Sequence, residues 1–328
     1  MNEIPENSFH AMQSAVDIVL SSPHPENKVA ACLFSQTATL AKTNDWPQRI
    51  LDNLGEQIRI GNSSGTVHAE VNCLLHFPEK TQGTEIAITD PCCPNCAKCI
   101  SESGIKTVYI DHKGFAKDFA TRRGDEFKDM SLSIMAHAGI NIYEINRKEK
   151  TISVIHQSKE NYTPPEDNPI KIVEQEQLPT EKNFLALIHA VKIKHASWGC
   201  AFARDKNGKI YSLVASTHAA IGYSQECFEK NGEPTPDTQR NKKYSFYINP
   251  LNRLLFGAAK HGLKIMDDYI WTSTIPTSRE MVNLIGAGYT KLAIGNITIS
   301  EEKSEKLSAL KTLQNSKTIE FREIKRIK

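Results

Sequence analysis

Four of the chain's eight cysteines, Cys92, Cys93, Cys96 and Cys99, crowd into eight consecutive positions. A stretch that dense calls for disulfides or a metal, and either one fixes the local backbone tightly. The first residues, Met1-Asn2-Glu3-Ile4-Pro5-Glu6, are polar and acidic and lack the basic start and apolar stretch of a secretory signal, so a cytoplasmic, reducing compartment is expected. There, metal ligation is the leading explanation. Upstream stands His68-Ala69-Glu70. One imidazole and one Cys-x-x-Cys pair supply three ligands, and zinc then keeps its fourth position for water, which is the catalytic pattern rather than the closed structural one. Zinc lowers the pKa of such a water toward ~7. Glu70 is placed to shuttle protons without ligating. Both segments read as helix starts, whose partial positive charge favours a thiolate, here expected at Cys96. Three cysteine pairs compete, Cys92/Cys96, Cys93/Cys96 and Cys96/Cys99; a two-residue spacing removes the first.

A length of 328 residues sets an expectation of about two domains. Prolines 164, 165, 169 and 179 and poor apolar periodicity mark residues 156–180 as a linker. It separates a domain over 1–155 from one over 181–328. In the first, helical spacing covers 9–20 (Phe9, Met12, Val16, Val19, Leu20), 67–76, 96–103 and 125–137, and strands read over 29–34, 39–43, 85–89, 107–110 and 140–145. That alternation argues for an α/β layered domain, with a helix between the last two strands that lets them run parallel. No apolar run approaches the ~20 residues that span a bilayer. With 39% hydrophobic and 24% charged residues, wholesale disorder is excluded.

The pairing of His68-Ala69-Glu70-Val71-Asn72 with Pro91-Cys92-Cys93-Pro94-Asn95-Cys96-Ala97-Lys98 resembles the zinc-dependent cytidine and deoxycytidylate deaminase superfamily. The His-Ala-Glu-x-Asn form is similar to deoxycytidylate and tRNA adenosine deaminases. The resemblance covers about residues 8–146. It implies zinc held by His68, Cys93 and Cys96, with Cys92 one residue out of register at the place where the family has Pro. It implies Glu70 as the proton shuttle of a hydrolytic deamination, in which water attacks the ring carbon bearing the exocyclic amine and ammonia leaves. It also implies substrate contacts from Ala69 and from Asn44, in Asn44-Asp45-Trp46-Pro47. Cys92, Cys99, Cys32, Cys73, His76, His112 and His137 read as structural residues.

The second half repeats the order of elements without the ligands. Aligning Asn72 with Asn252 places Ile248, Asn249 and Pro250 against His68, Ala69 and Glu70, and Thr277 and Glu280 against Cys93 and Cys96. Side chains of these types make no zinc site of this kind. The expected fold is therefore two α/β/α three-layer domains of the cytidine-deaminase type in tandem, each on a mixed five-stranded sheet, the second degenerate. Family members assemble through their helix layers, which implies a homodimer or an internal pseudo-dimer. Residues 1–179 carry 17 Lys and Arg against 24 Asp and Glu, and residues 180–328 carry 23 against 14. A basic half suits a polyanion such as tRNA or single-stranded nucleic acid, or it is simply a solvated surface. Three functions compete: a deaminase of bases within nucleic acid, a deaminase of free nucleotides or bases, and a zinc-stabilised binding protein without turnover.

Overall fold

The computed structural model describes residues 6–56, 59–115, 124–190, 197–224, 245–297 and 304–325, with the side chains of 124–128 left aside. The N-terminal half runs α1 (Glu6–Ile18), β1 (Ala30–Phe34), β2 (Thr39–Thr43), α2 (Ala69–His76), β3 (Glu85–Ile88), α3 (Pro94–Glu102), β4 (Thr107–Asp111), α4 (Gly124–His137), β5 (Asn141–Asn146) and β6 (Thr151–His156). Its strands lie in the order β2-β1-β3-β4-β5-β6. β1 is antiparallel to β2 and β3, whereas β3, β4 and β5 run parallel, as a helix between each pair requires.

Alternation along the strands explains the layers. Ala30, Cys32, Phe34, Ala87, Tyr109 and Ile145 pack with Ala11, Met12 and Ala15 of α1. The interleaved Ala31, Leu33, Ile86, Ile88, Val108 and Ile110 are just as buried on the opposite face. A sheet buried on both faces needs helices on both, and its strands read as near-continuous apolar runs. The buried residues of α1 are Ser8, Ala11, Met12 and Ala15, at helical spacing. The expected stripe is thus turned: Met12 is in the core, while Leu20 lies beyond the helix and is 80% exposed.

The C-terminal half repeats this plan with β7 (Lys171–Gln175), α5 (Glu181–Ala190), β8 (Trp198–Arg204), β9 (Ile210–Ser216), α6 (Pro250–Lys260), β10 (Lys264–Thr272), α7 (Ser278–Gly286), β11 (Lys291–Ile294), α8 (Ser304–Asn315) and β12 (Glu320–Glu323). The strand order is β7-β9-β8-β10-β11-β12, with β10, β11 and β12 parallel. From β9 to β12 this matches β2 to β5. Phe184 and Ile188 of α5 cover Trp198, Cys200, Phe202 and Trp271 as α1 covers its own sheet. Each sheet has six strands instead of the expected five. The extra ones are edge strands, β6 beside β5 and β7 beside β9, both antiparallel. Their solvent-facing residues dilute the apolar pattern, and the prolines around β7 made residues 171–175 read as linker; edges are where a sheet tolerates both. The chain forms two compact units, one of residues 1–45, 68–168 and 219–248, the other of residues 46–67, 169–218 and 249–328. Each sheet belongs to one unit, and each unit also takes up a segment from the other half of the sequence.

In the second unit a single carboxylate joins the starts of α6 and α7. Thr277 caps α7 and forms a capping box with Glu280. Glu280 is 2% exposed; one oxygen accepts from Thr277 N and Oγ1, both at 2.9 Å, and the other from Leu251 N at 3.2 Å and Asn252 N at 3.4 Å. Two helix N-termini favour an anion where they meet. Glu280→Ala should therefore destabilise this unit by about 3 kcal/mol, through a lost cap and buried donors left unpaired. All three tryptophans, Trp46, Trp198 and Trp271, lie in it, so urea unfolding followed by tryptophan fluorescence should show the lowered midpoint.

Candidate active site

The first unit holds the counterpart of that junction, with different chemistry. His68 is the extended N-cap residue of α2, which starts at Ala69 because His68 keeps φ −72° and ψ 151°. Cys93 is the N-cap of α3, with Pro94 at the first helical position, where its missing N–H costs nothing. The two helix starts bring His68, Cys93 and Cys96 together: His68 Nδ1 lies 3.2 Å from Cys96 Sγ and 3.6 Å from Cys93 Sγ, and the two sulfurs are 3.5 Å apart. Tetrahedral zinc with Zn–S near 2.3 Å and Zn–N near 2.1 Å sets such donors about 3.6–3.8 Å apart. The set therefore fits zinc in both spacing and donor type. Both cysteines are buried, whereas His68 is half-buried, so the group opens toward solvent on the imidazole side.

The Cys96 thiol, the neighbouring His68 and the Cys96 backbone N–H all favour a charged Cys93, whose pKa falls well below the usual value. Cys93 gains these donors because it caps the helix, while Cys96 lies within it. Glu70, in the first turn of α2, is 3% exposed; burial pushes its carboxyl up to about 7, partly countered by His68. Ala69, fully buried, opens α2, so its amide is among the N–H groups that helix geometry leaves without an intrahelical acceptor. Asn44 follows β2 and is turned inward: Oδ1 accepts from Val29 N at 2.9 Å and Ser22 Oγ at 2.8 Å, and Nδ2 donates to Asn27 O at 2.8 Å.

Five other histidines and cysteines have partners of their own. Cys92 Sγ lies 3.9 Å from the Met135 sulfur, and Cys73 Sγ donates to Ala31 O. His76 bonds Asn72 O, His112 bonds Glu144, and His137 stacks on Tyr223. Other side chains hold the surrounding elements in place. Asn72 Nδ2 donates to Thr43 O at 3.0 Å, tying α2 to β2. Thr89 Oγ1 accepts from Ala30 N and donates to Asp90, just ahead of the cysteines. Gly114 presses on that stretch, where a Cβ would lie 2.5 Å from Thr89 O. Lys98, 6% exposed on α3, donates to the carbonyls of Ser245 and Tyr247 at 2.7 Å each.

The capping pattern also fixes the correspondence with the second unit. Cys96 N donates to Cys93 Sγ as Glu280 N donates to Thr277 Oγ1, so those pairs match as aligned. At the other helix the two N-caps, His68 and Asn249, correspond, one residue away from the Ile248 pairing read from the sequence. Asn72 then matches Arg253, and both reach back to a carbonyl at the end of the strand preceding them.

Residues 5–112 match the family described as the cytidine and deoxycytidylate deaminase zinc-binding region. The match covers about a third of the chain and is a likeness to that family. An uncharacterized deaminase from the luxG 3' region of Aliivibrio fischeri is 28% identical over 122 residues, which are 37% of this chain and 81% of that protein. ComE operon protein 2 of Bacillus subtilis is 30% identical over 97 residues, 29% of this chain and 46% of that protein. Among solved structures, the dCMP deaminase of cyanophage S-TIM5 in complex with dCMP and dUMP is 19% identical, with a TM-score of 0.34 over 44% of this chain and all of that one. The matched family region is a zinc-binding one, and His68, Cys93 and Cys96 form a group that could hold the metal. Among the described residues, no helix is long and apolar enough to cross a membrane.

The two cysteine registers that spacing leaves open differ in a measurable way. Cys93→Ser and Cys96→Ser should each abolish stoichiometric zinc in the purified protein by elemental analysis, whereas Cys99→Ser and Cys92→Ser should retain about one zinc per chain.

Proposed function

We propose that the first unit is a hydrolytic deaminase acting on the exocyclic amine of a free cytosine nucleotide. The observation that carries the reading is the buried carboxylate of Glu70, held within the first turn of the same helix whose N-cap is His68. A structural metal group has no use for that carboxylate. When bound at His68, Cys93 and Cys96, zinc supplies a water acidified toward neutral pH. Glu70 is the group suited to accept the water's proton, pass it to the ring nitrogen and deliver a proton to the departing ammonia. Asn44 and Ala69 are the proposed substrate contacts, Ala69 through its amide at the start of α2. The family match, to deaminases of cytidine and deoxycytidylate, favours the cytosine ring.

The excess of Lys and Arg after residue 180 favours a second reading, action on a base within nucleic acid. Local pairing weakens it. Lys209 meets Glu174 at 2.9 Å, Lys291 meets Asp268 at 2.6 Å and Arg322 meets Glu181 at 3.0 Å. Arg253 is buried on Ser216 O, and Arg279 bonds Thr66 O. Cations engaged in this way are poor phosphate clamps. The second unit, with Asn249, Thr277 and Glu280 at the ligand positions, is proposed to have no turnover of its own and to serve as scaffold.

Ammonia release by the zinc-loaded protein tests this. Deoxycytidylate or cytidylate should be turned over, and bulk tRNA and single-stranded DNA should not. Glu70→Ala should lower turnover at least about a hundredfold with zinc content unchanged. Release from polymer alone would reverse the choice between the two readings, and equal turnover by Glu70→Ala would remove the mechanism.

A further inference from the structure

The helix that is capped by Cys93 and carries Cys96 also carries a buried lysine with no place among the metal donors. Side chains two positions apart on a helix point about 200° apart, so Lys98 leaves α3 on the side away from Cys96. There its Nζ donates to Ser245 O and to Tyr247 O, both at 2.7 Å. A lysine is seldom buried this deeply unless its nitrogen is paired. An apolar side chain of similar length would fill the same space without taking a polar nitrogen out of water, so packing alone does not call for lysine. What the two bonds add is direction. They resist sliding along the helix axis and turning about it, which apolar contact does only weakly.

The acceptors belong to a fixed body. Ala220 N donates to Phe246 O at 2.8 Å, and the rings of Tyr223 and Phe246 lie 5.0 Å apart, which joins residues 220–223 to residues 245–247. Tyr223 stacks on His137 at 4.6 Å, and its hydroxyl lies 2.9 Å from Ser133 Oγ, so the same body grips α4. α3 packs on both α2 and α4. Lys98 therefore ties the cysteine helix to a body anchored on its neighbour α4. The imidazole of His68 comes from the other neighbour, α2, which Asn72 fastens to Thr43 O. The reach of the two sulfurs toward His68 is thus set by the height and rotation of α3 relative to α2.

We propose that Lys98 is a positioning residue for the metal group. It holds α3 where Cys93 and Cys96 meet His68, and it does so through carbonyls that come from the second half of the sequence. The proposal rests on the reading of that group as a zinc site, and not on the choice of substrate. Zinc asks for donors at fixed spacing, and groups behind the ligands that keep them in place cost about 10–100-fold in metal affinity when they are lost.

The test uses full-length protein and reads metal binding, not turnover. Zinc affinity is measured by competition with a chromophoric chelator, and cobalt(II) is bound in place of zinc so that its d–d bands report the geometry. Wild type is compared with Lys98→Met, Lys98→Gln and Tyr109→Phe. Lys98→Met should bind zinc at least about tenfold more weakly and shift the cobalt bands, at a temperature where circular dichroism shows it folded. Lys98→Gln keeps an N–H donor and should recover part of the affinity. Tyr109→Phe loses a bond to Glu85 on the sheet instead, and should leave metal binding unchanged. Wild-type affinity and cobalt bands in Lys98→Met overturn the proposal, as does an equal loss in Tyr109→Phe, which would make the effect one of general stability. If Lys98→Met does not fold, Lys98→Gln takes its place in the same comparison. Failure of both to fold makes Lys98 a support of the fold alone and overturns the proposal. A wild type that binds no zinc removes the metal reading itself, and the proposal with it.

Discussion

Two helices begin at one place beside a mixed sheet, and the positive ends of both must be answered by negative charge. The rest of each unit follows from that constraint. In the first unit the answer is chemical: a thiol at an N-cap, a second thiol one turn on and an imidazole at the other N-cap, close enough to share one cation. In the second it is a single glutamate that spans both helix starts. The order of the five shared strands is the same in both, and Cys93 and Thr277 each accept a backbone N–H three residues on. What differs is whether the junction is filled by a side chain of the chain itself or by a group taken from solution.

This contrast explains why loss of the metal ligands need not dismantle the second unit. Removing soft donors would leave N-terminal amides of α6 and α7 facing one another without acceptors, a serious cost in a buried position. Glu280 supplies those acceptors and at the same time closes the space. The same residue type serves opposite ends in the two units. Glu70 stands inside its helix with few donors around it, so burial keeps it near neutrality and able to exchange a proton. Glu280 has four donors and a capping role, which makes it an anchor.

Much of this was legible in the amino-acid sequence, for identifiable reasons. His68, Glu70, Cys93 and Cys96 stand out because soft ligands at fixed spacing are rare by chance, and the α/β alternation follows from strands buried on both faces. The repeat could be followed where strands are apolar, but slipped by one residue at α6, because Asn249 and Pro250 signal a helix start only when the cap is seen. The sixth strand of each sheet escaped notice because an edge strand such as Thr151–His156 buries little.

Lys98 shows how the exchange of segments bears on the making of the protein. Its ammonium, buried on the helix that carries both cysteines, is satisfied by carbonyls of residues 245 and 247. The unit containing α3 is interrupted after residue 168 and resumes only at residue 219. During synthesis the first sheet is therefore finished about 90 residues before these acceptors emerge, a delay of about 5–18 s at ~5–20 residues per second. Through that interval the ribosome carries a first unit that still lacks residues 219–248, so part of its assembly waits on the chain's connectivity.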